Sequence, residues 1–313
     1  MEMVRTVIDA ALVAGMALSM ALAWSIGAND MANSTSIAVG SGILRVRTAM
    51  VLFSVMLTLG AVLQGYMVMK TLGRGVVSDV DLECAIASTL AALSWITVAT
   101  LLGLPISTSH SITSAILGAG LGRLLLRGYG SVNLQVFQTI VLSWVVSPLS
   151  AMALAVPAYL AVERLFRTSV SGRSRANEWA VIALTAFSAY SFGANDVANS
   201  TGVYVAVVSS RFGIPDLDTM RVLALISSLA IALGGITMGR RVLVTLAYKV
   251  TRLDPATAVA AGFANSFTVW IFTTIPYIVL GYGLPISTTY AAAGAIVGAA
   301  VARSEGLGGV STK

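Results

Sequence analysis

The sequence predicts an all-α polytopic membrane protein made of two inverted-topology repeats, with broken helices and two re-entrant hairpins. Three observations predict it: an apolar composition, long apolar segments and a duplicated set of polar motifs. Residues of the AVILMFWYC set make up 57% of the 313 residues, and charged residues only 10%. Charged residues supply about 25% of a soluble domain. Because so few charged side chains cannot cover such an apolar core, lipid must cover the rest.

The charge and the soft-ligand content exclude several other classes. The net charge of +6 would suggest a nucleic-acid partner, but no block of lysine and arginine occurs in the chain. One cysteine, Cys84, excludes an intramolecular disulfide framework, and one histidine, His110, leaves too few ligands for a zinc site. We therefore expect membrane lipid as a partner, no nucleic acid and no cofactor.

Seven apolar segments are long enough to predict helices that lie in the membrane. The last of them ends at residue 282, close to a Leu-Pro-Ile-Ser-Thr segment that begins at residue 284 and is described below. The segment at 134–162 continues to Phe166 and contains Pro148 and Pro157, so either one kinked helix or two shorter helices would fit it. The predicted segments are 9–28, 48–69, 82–103, 134–162, 179–194, 221–238 and 263–282.

The N-terminal residues 1–23 resemble a signal peptide, with an apolar run that ends in Ala21-Leu22-Ala23. Glu2 and Asp9 disagree with the positive region that such a peptide needs. The residues that follow also recur later in the chain. We therefore expect this stretch to be part of a retained membrane helix.

An internal repeat organises the chain. Residues 27–35 read Gly-Ala-Asn-Asp-Met-Ala-Asn-Ser-Thr, and 193–201 repeat them at an offset of 166 with one substitution. Residues 104–109, Leu-Pro-Ile-Ser-Thr-Ser, return at 284–289 as Leu-Pro-Ile-Ser-Thr-Thr at an offset of 180. The sequence thus predicts a first repeat at 1–162, a basic linker at 163–178, a second repeat at 179–303 and a flexible tail at 304–313.

The basic residues predict how the chain is oriented. If the linker is cytoplasmic, alternating spans place most of the basic loop residues inside, as the positive-inside rule requires. The first repeat then starts outside and the second inside, and such inverted repeats are typical of transporters. We expect a multi-pass protein of the cell membrane. The inner set is Arg45, Arg47, Arg164, Arg167, Arg173, Arg175, Arg240, Arg241, Lys249 and Arg252, and the outer set is Lys70, Arg74, Arg211 and Arg221.

Asp30 and Asp196 lie where apolar sequence continues on both sides. An aspartate at the centre of a membrane helix costs about 2.5 to 3.5 kcal/mol on insertion scales, which indicates a function for both. The small residues around each would let the backbone open and neighbouring helices approach, and the carboxylate and carboxamide oxygens suit Na⁺ or a proton. Asn29 and Asn33 would share a helix face if helical geometry persists there. A polar clamp between helices is the simpler alternative.

The second motif is a helix start inside an apolar region. Proline followed by Ile-Ser-Thr supplies a break, hydroxyl groups and free backbone N–H groups. A helix N-terminus at membrane depth favours an anion. Each following segment is rich in small residues, which indicates closely packed re-entrant hairpins. Alone, such a motif would only cap a helix, but here it is duplicated.

On these residues the chain resembles the inorganic phosphate transporter (PiT) family of cation-coupled phosphate symporters. The resemblance depends on both Gly-Ala-Asn-Asp-x-Ala-Asn motifs, on both Gly-Leu-Pro-Ile-Ser-Thr segments, and on residues 239–243 and 262–264 between them. It spans nearly the whole chain. The chain departs from the family pattern at Tyr290 and Asn265, and its central linker is short.

The resemblance implies phosphate uptake driven by Na⁺ or H⁺ at a site near the bilayer midplane. It assigns two sets of residues to that site. The cation would be served by Asn29, Asp30, Asn33, Asn195, Asp196 and Asn199, and phosphate would be held by Ser107, Thr108, Ser109, Ser287, Thr288 and Thr289. The roles of His110 and Tyr290 stay open.

Charge arithmetic favours symport. Importing a dianion against an inside-negative potential costs about 4.6 kcal/mol per 100 mV, so at least two cations must accompany it for neutrality. A sulfate or other oxyanion permease of the same fold and an anion channel remain alternatives. An intramembrane aspartyl protease would leave the paired hairpins without a role. The choice between Na⁺ and H⁺, the stoichiometry, and the choice between monomer and homodimer stay open.

Overall fold

A computed structural model describes residues 2–74, 77–78, 80–128, 131–166, 175–212, 216–249 and 254–305. In these ranges the chain is almost entirely helical. The helices are α1 Glu2–Gly40, α2 Val46–Gln64, α3 Tyr66–Arg74, α4 Leu82–Leu101, α5 Thr108–Arg127, α6 Leu134–Phe166, α7 Arg175–Phe212, α8 Leu217–Met238, α9 Arg240–Lys249, α10 Pro255–Leu280 and α11 Thr288–Ala300. A π-helical turn, Val301–Glu305, follows α11, and two short strands, β1 Val77–Ser78 and β2 Ser131–Val132, pair antiparallel.

Within the described ranges, five helices are long and apolar enough to cross a membrane: α2, α4, α8, α10 and, in α6, Leu134–Arg164. They coincide with five of the seven predicted segments. Large apolar side chains cover their outer faces, and on the hairpin helix α5 Leu125 and Leu126 are 83% and 87% exposed. The chain is therefore a multi-pass membrane protein.

The prediction that the helices break at the acidic motifs is wrong. The two remaining predicted segments, 9–28 and 179–194, lie inside α1 and α7, and both helices continue through the motifs without interruption. The small residues serve close packing instead. A methyl group added to Gly27 would overlap the Ile231 carbonyl oxygen of α8, and one added to Gly193 would overlap the Leu57 carbonyl oxygen of α2. Single glycines, Gly65 and Gly239, separate α2 from α3 and α8 from α9.

Two helical hairpins, α4 with α5 and α10 with α11, carry the proline motifs at their tips. The open end of the first hairpin is held by the β1–β2 pair and by an ion pair of 3.1 Å between Arg123 and Asp81. The open end of the second is held by an ion pair of 2.9 Å between Arg303 and Asp254. Asp81 and Asp254 also cap α4 and α10 by accepting from backbone N–H groups. Both hairpins therefore turn back on themselves at residues 102–107 and 281–287.

Helix contacts occur in matching pairs between the two halves. Helix α1 packs against α4, α8 and α9, and α7 packs against α10, α2 and α3 in the same pattern. Thr245 of α9 donates to the Gly103 carbonyl at the first tip, and Thr71 of α3 donates to the Gly283 carbonyl at the second. Each long helix is therefore enclosed mainly by elements of the other half.

Helix α6 is a single helix of 33 residues with Pro148 and Pro157 inside it, so of the two interpretations the single helix is confirmed. It packs along α10 and α11. Helical residues enter the predicted linker from both sides, since α6 ends at Phe166 and α7 begins at Arg175. Residues 167–174 and 306–313, which make up the centre of the predicted linker and most of the predicted tail, lie outside the described residues.

Candidate ion-binding site

Asp30 and Asp196 lie at the centre of the molecule, in the middle of α1 and α7. Both side chains are fully buried, at 0% exposure. Among the described residues no salt bridge reaches either carboxylate. The two carboxylates lie within electrostatic range of each other. Two like charges buried without a basic partner are unfavourable, so the site requires a cation or a proton.

Asn29 and Asn195 fasten the hairpin tips to the long helices. Asn29 donates to the Thr100 hydroxyl and to the Leu104 carbonyl, each at 3.0 Å, and its carboxamide oxygen accepts from the Ile106 N–H at 3.0 Å. In the second half Asn195 makes the equivalent three bonds, to Thr273, Leu284 and Ile286, at 2.8, 2.9 and 3.3 Å. These two carboxamides therefore position the tips, and all their polar atoms are used for it.

Asn33 and Asn199 lie one helical turn further along and contact the carboxylates. The Asn33 amide donates to Asp30 Oδ1 at 3.0 Å and to the Thr289 hydroxyl at 2.9 Å. The Asn199 amide donates to Asp196 Oδ1 at 2.7 Å and to the Ser109 hydroxyl at 3.0 Å. Each asparagine thus joins the aspartate of its own half to the hairpin tip of the other half.

Hydroxyl groups from both hairpins reach the carboxylates. Thr108 donates to Asp30 Oδ2, and Thr289 approaches Asp30 Oδ1 at 3.4 Å. Ser109 donates to Asp196 Oδ1 at 3.2 Å, and Thr288 faces the same carboxylate.

The two tips also contact each other directly, because the Thr289 hydroxyl is 2.9 Å from the Ile106 carbonyl oxygen.

Ser107 and Ser287 have a different position from the other predicted hydroxyl residues. They are the N-caps of α5 and α11, and their hydroxyls accept from the His110 and Tyr290 N–H groups at 3.2 Å. The first turns of the two helices therefore face the centre from opposite hairpins. Helix N-termini of this kind carry partial positive charge and favour an anion.

Among the described residues, four buried side-chain oxygens at this centre have no hydrogen-bond donor. They are Asn33 Oδ1, Asn199 Oδ1, Asp196 Oδ2 and Asn265 Oδ1. Buried acceptors without a partner are rare in proteins. Carboxylate and carboxamide oxygens are the ligands that hard cations take, so these oxygens are candidate cation ligands.

The structure brings eight of the twelve predicted site residues into contact at this centre, whereas Asn29 and Asn195 hold the tips and Ser107 and Ser287 cap α5 and α11. Sequence reasoning missed Thr100 and Thr273, which hold the two positioning asparagines. It named Asn265 only as a departure from the family pattern, whereas in the structure its amide donates to the Asn33 carbonyl at 3.2 Å and to Ser188 at 3.0 Å. Thr100 and Thr273 are 173 residues apart, whereas the tips are 180 apart, so a search at either motif offset would not have paired the two threonines.

An aromatic cluster lies beside the tips. His110 stacks near Trp144 at a ring distance of 3.8 Å and meets Tyr290 edge-on at 4.9 Å. His110 and Tyr290 follow the two tips at equivalent positions, so their contact bridges the two halves.

Comparisons with known proteins fit this arrangement. The model of the phosphate transporter family, PHO4, matches residues 26–312. The chain belongs to the phosphate transporter family. Among its relatives is a Pyrococcus furiosus protein named as a phosphate permease, 29% identical over 367 positions that cover 91% of this chain and 86% of the relative.

A second relative of this chain is the sulfate permease CysP of Bacillus subtilis. It is 29% identical over 299 positions, which cover 93% of this chain and 77% of the relative. A solved structure titled the sodium-dependent phosphate transporter aligns with a TM-score of 0.80 and 27% identity, covering 94% of this chain and 90% of the other. The family and the fold are those of transporters rather than enzymes.

Proposed function

We propose that the chain imports inorganic phosphate by symport with Na⁺ or H⁺ through alternating access. The observation that carries the proposal is the centre itself: two fully buried aspartates without a basic partner, contacted by hydroxyls at two converging helix N-termini. The aspartates attract cations and the helix N-termini attract an oxyanion. A site that prefers cations beside a site that prefers anions suits cotransport of the two ions.

The architecture we propose for this function is a pair of inverted-topology repeats, 1–162 and 179–303, joined by a cytoplasmic linker, with α4–α5 and α10–α11 as re-entrant hairpins. The matched helix contacts and the matched bonds of Asn29 and Asn195 support it. Transporters of this kind bind their substrates at the interface of the repeats near the midplane. The basic residues of the linker favour the cytoplasmic side.

Coupling follows from the hydroxyl groups. Without a bound cation, Thr108 and Ser109 donate their hydroxyl protons to the carboxylates. A cation at the carboxylates would compete for the same oxygens, and the hydroxyls would then be free to donate to an oxyanion. Phosphate would bind well only after the cation, because the cation also removes the repulsion between carboxylates and oxyanion.

Na⁺ is the favoured coupling ion, since the solved relative is titled sodium-dependent and the unpartnered oxygens suit a hard cation. Phosphate is the favoured anion because the matching family is that of phosphate transporters and the solved relative is titled a phosphate transporter.

Sulfate is a second candidate on one observation. The alignment to the sulfate permease is 299 positions long and covers 93% of this chain. The alignment to the Pyrococcus furiosus relative covers a similar share, 91%, but is 367 positions long. The chain therefore aligns with the sulfate permease with fewer gaps.

The test is uptake by proteoliposomes that contain the purified chain. Labelled phosphate and labelled sulfate would each be offered under an inward Na⁺ gradient, an inward H⁺ gradient and neither. We expect saturable phosphate uptake that requires the Na⁺ gradient and resists a tenfold excess of sulfate. Uptake without either gradient would identify a channel, and preferential sulfate uptake would identify the second candidate.

Replacing Thr108 tests the coupling step. Thr108→Val keeps the shape and removes the hydroxyl that contacts Asp30. If the hydroxyl binds the anion, the phosphate concentration for half-maximal uptake should rise about tenfold or more, as expected for the loss of a hydrogen bond worth ~1.5 kcal/mol or more to a charged group. Unchanged phosphate dependence would exclude the hydroxyl from the anion site. Thr100→Val, which removes a hydroxyl that serves Asn29 instead, is the matched control for lost hydrogen bonding.

A further inference from the structure

A cavity of about 560 Å³ lies between α4 and α5, directly beside the first hairpin tip. Its inner end is lined by Ser107 and His110, and the hydroxyls of Ser111 and Ser114 continue along one face of α5. A second cavity of about 300 Å³ lies further along the same helix pair and is lined by Arg123. The two cavities follow the hairpin from its tip towards its open end.

The equivalent positions of the second hairpin are covered. Ala291 and Gly294 stand where the first hairpin has Ser111 and Ser114. Ala291 is fully buried, and a methyl group added to Gly294 would overlap the Pro148 carbonyl oxygen of α6. Helix α6 therefore covers α11 at these two positions, where α5 carries Ser111 and Ser114 beside the cavity.

The larger cavity is lined by hydroxyl side chains of α5 and by the apolar Ala91, Ala92 and Trp95 of α4. Ser107, Ser111 and Ser114 follow one another at helical spacing and lead away from the tip, and the Ser111 hydroxyl donates to the Ser107 carbonyl at 2.8 Å. The N-terminus of α5 points its partial positive charge at the inner end. His110 Nε2 is buried there without a hydrogen-bond partner.

We propose that these cavities form the vestibule through which the oxyanion reaches the hairpin tips, and that Ser111 and Ser114 line its path. His110 and Tyr290 lie where the vestibule meets the tips. In the orientation proposed above, the open end of the first hairpin faces the outside of the cell, so the vestibule admits substrate for uptake. The identity of the anion rests on the proposed function, but the existence of an aqueous passage does not.

The chain allows a direct test because Cys84 is its single cysteine. Cys84 lines the outer cavity, so Cys84→Ser provides the background. Ser111→Cys and Ser114→Cys would be introduced singly into it. Ala291→Cys is the matched control, since it occupies the position equivalent to Ser111 on the covered hairpin. Intact cells that express each variant would be treated with 2-sulfonatoethyl methanethiosulfonate, an anionic thiol reagent that does not cross membranes.

We expect both vestibule cysteines to react from outside and Ala291→Cys to react at least tenfold more slowly. Saturating phosphate with Na⁺ should slow the reaction of Ser111→Cys several-fold, and that of Ser114→Cys less, because Ser111 lies nearer the tip. Reaction of the two vestibule cysteines with a membrane-permeant maleimide but not with the anionic reagent would overturn the proposal, because lipid would then fill the groove. Equal reaction at all three positions would overturn it as well.

Protection by phosphate separates this proposal from the proposed function. Reactive vestibule cysteines that sulfate protects and phosphate does not would support the passage and contradict phosphate as the substrate. Phosphate uptake in the absence of reaction at Ser111→Cys and Ser114→Cys would support the function and contradict the passage.

Discussion

The two hairpins differ in their surroundings although their tips are nearly identical. At the tips, Asn29 and Asn195 make equivalent sets of three hydrogen bonds, and hydroxyls of both hairpins reach the carboxylates. Away from the tips, α6 packs along the second hairpin, whereas the first hairpin encloses cavities. The polar centre is thus duplicated while its covering is not. We infer that chemistry constrains the tips and that access is determined by what surrounds them.

The largest expected effect is on uptake, when the buried aspartate of one half or of the other is replaced. Asp30→Asn and Asp196→Asn should each lower Na⁺-dependent phosphate uptake about 100-fold or more, equivalent to ~2.7 kcal/mol, because each removes a buried charge on which a cation depends. Initial uptake rates in proteoliposomes, taken across a range of Na⁺ concentrations, would measure this. Normal Na⁺ dependence of either variant would show that its half does not bind the coupling ion.

Next in size is the loss of the positioning asparagines. Asn29→Ala leaves the Leu104 carbonyl and the Ile106 N–H without partners, and a buried unsatisfied group costs about 1–3 kcal/mol. We expect the midpoint of thermal unfolding in detergent to fall by ~5–10 °C. Asn195→Ala should have a slightly smaller effect, because its bond to the Ile286 N–H is longer, at 3.3 Å. An effect confined to uptake, with unchanged stability, would contradict a positioning role.

A matched pair of glycines tests the difference in covering. Gly298→Ala should destabilise the protein by about 1–3 kcal/mol, because the new methyl group would overlap the Met152 carbonyl oxygen of α6. Gly118→Ala, at the equivalent position on the open hairpin, meets nothing within 4 Å. It should be neutral or stabilising by up to ~1 kcal/mol through helix propensity. Chemical denaturation of the two variants side by side would measure the contrast, and equal destabilisation would mean that a helix also covers α5.

The smallest expected effects concern the ion pairs at the open ends of the hairpins. Both partners of the Arg303–Asp254 pair are about one third exposed, so Arg303→Gln should cost about 0.5 kcal/mol. Arg123 is only 7% exposed beside Asp81, so Arg123→Gln should cost somewhat more, about 1–2 kcal/mol. Unfolding measured at low and high salt would distinguish them, because salt should reduce only the Arg303 effect.

Much of the centre was predictable because its residues are duplicated in the sequence. The motifs at 27–35 and 193–201 identify the buried acidic residues, and those at 104–109 and 284–289 identify the hairpin tips. Hydropathy identified five of the membrane-crossing helices, since apolar length is a direct requirement of the bilayer.

Three features could not be predicted, each for a physical reason. Glycine and asparagine are weak helix formers, so residues 27–35 read as a break. Close contacts such as that of Gly27 with Ile231 accompany a continuous helix in the structure, and such packing is not visible in a single sequence. Thr100 and Thr273 could not be paired from the sequence because α10 and its connection to α11 contain more residues than α4 and its connection to α5. The two threonines are therefore separated by 173 residues rather than by the 180 that separate the tips. The covering of α11 by α6 could not be predicted because it is a contact between helices distant in the chain, at Gly294 with Pro148 and Gly298 with Met152.

Close glycine contacts join α1 to α8 and α2 to α7 across the boundary between the halves. Each long helix also packs within its own half, α1 against α4 and α7 against α10, but a half translated alone would lack most of the helices that enclose it. Separate production of 1–162 and 179–303 should therefore give function only when the two fragments are made together. In the inverted-repeat architecture proposed above, an ancestral chain of half this length would have required a second molecule inserted upside down to complete one centre.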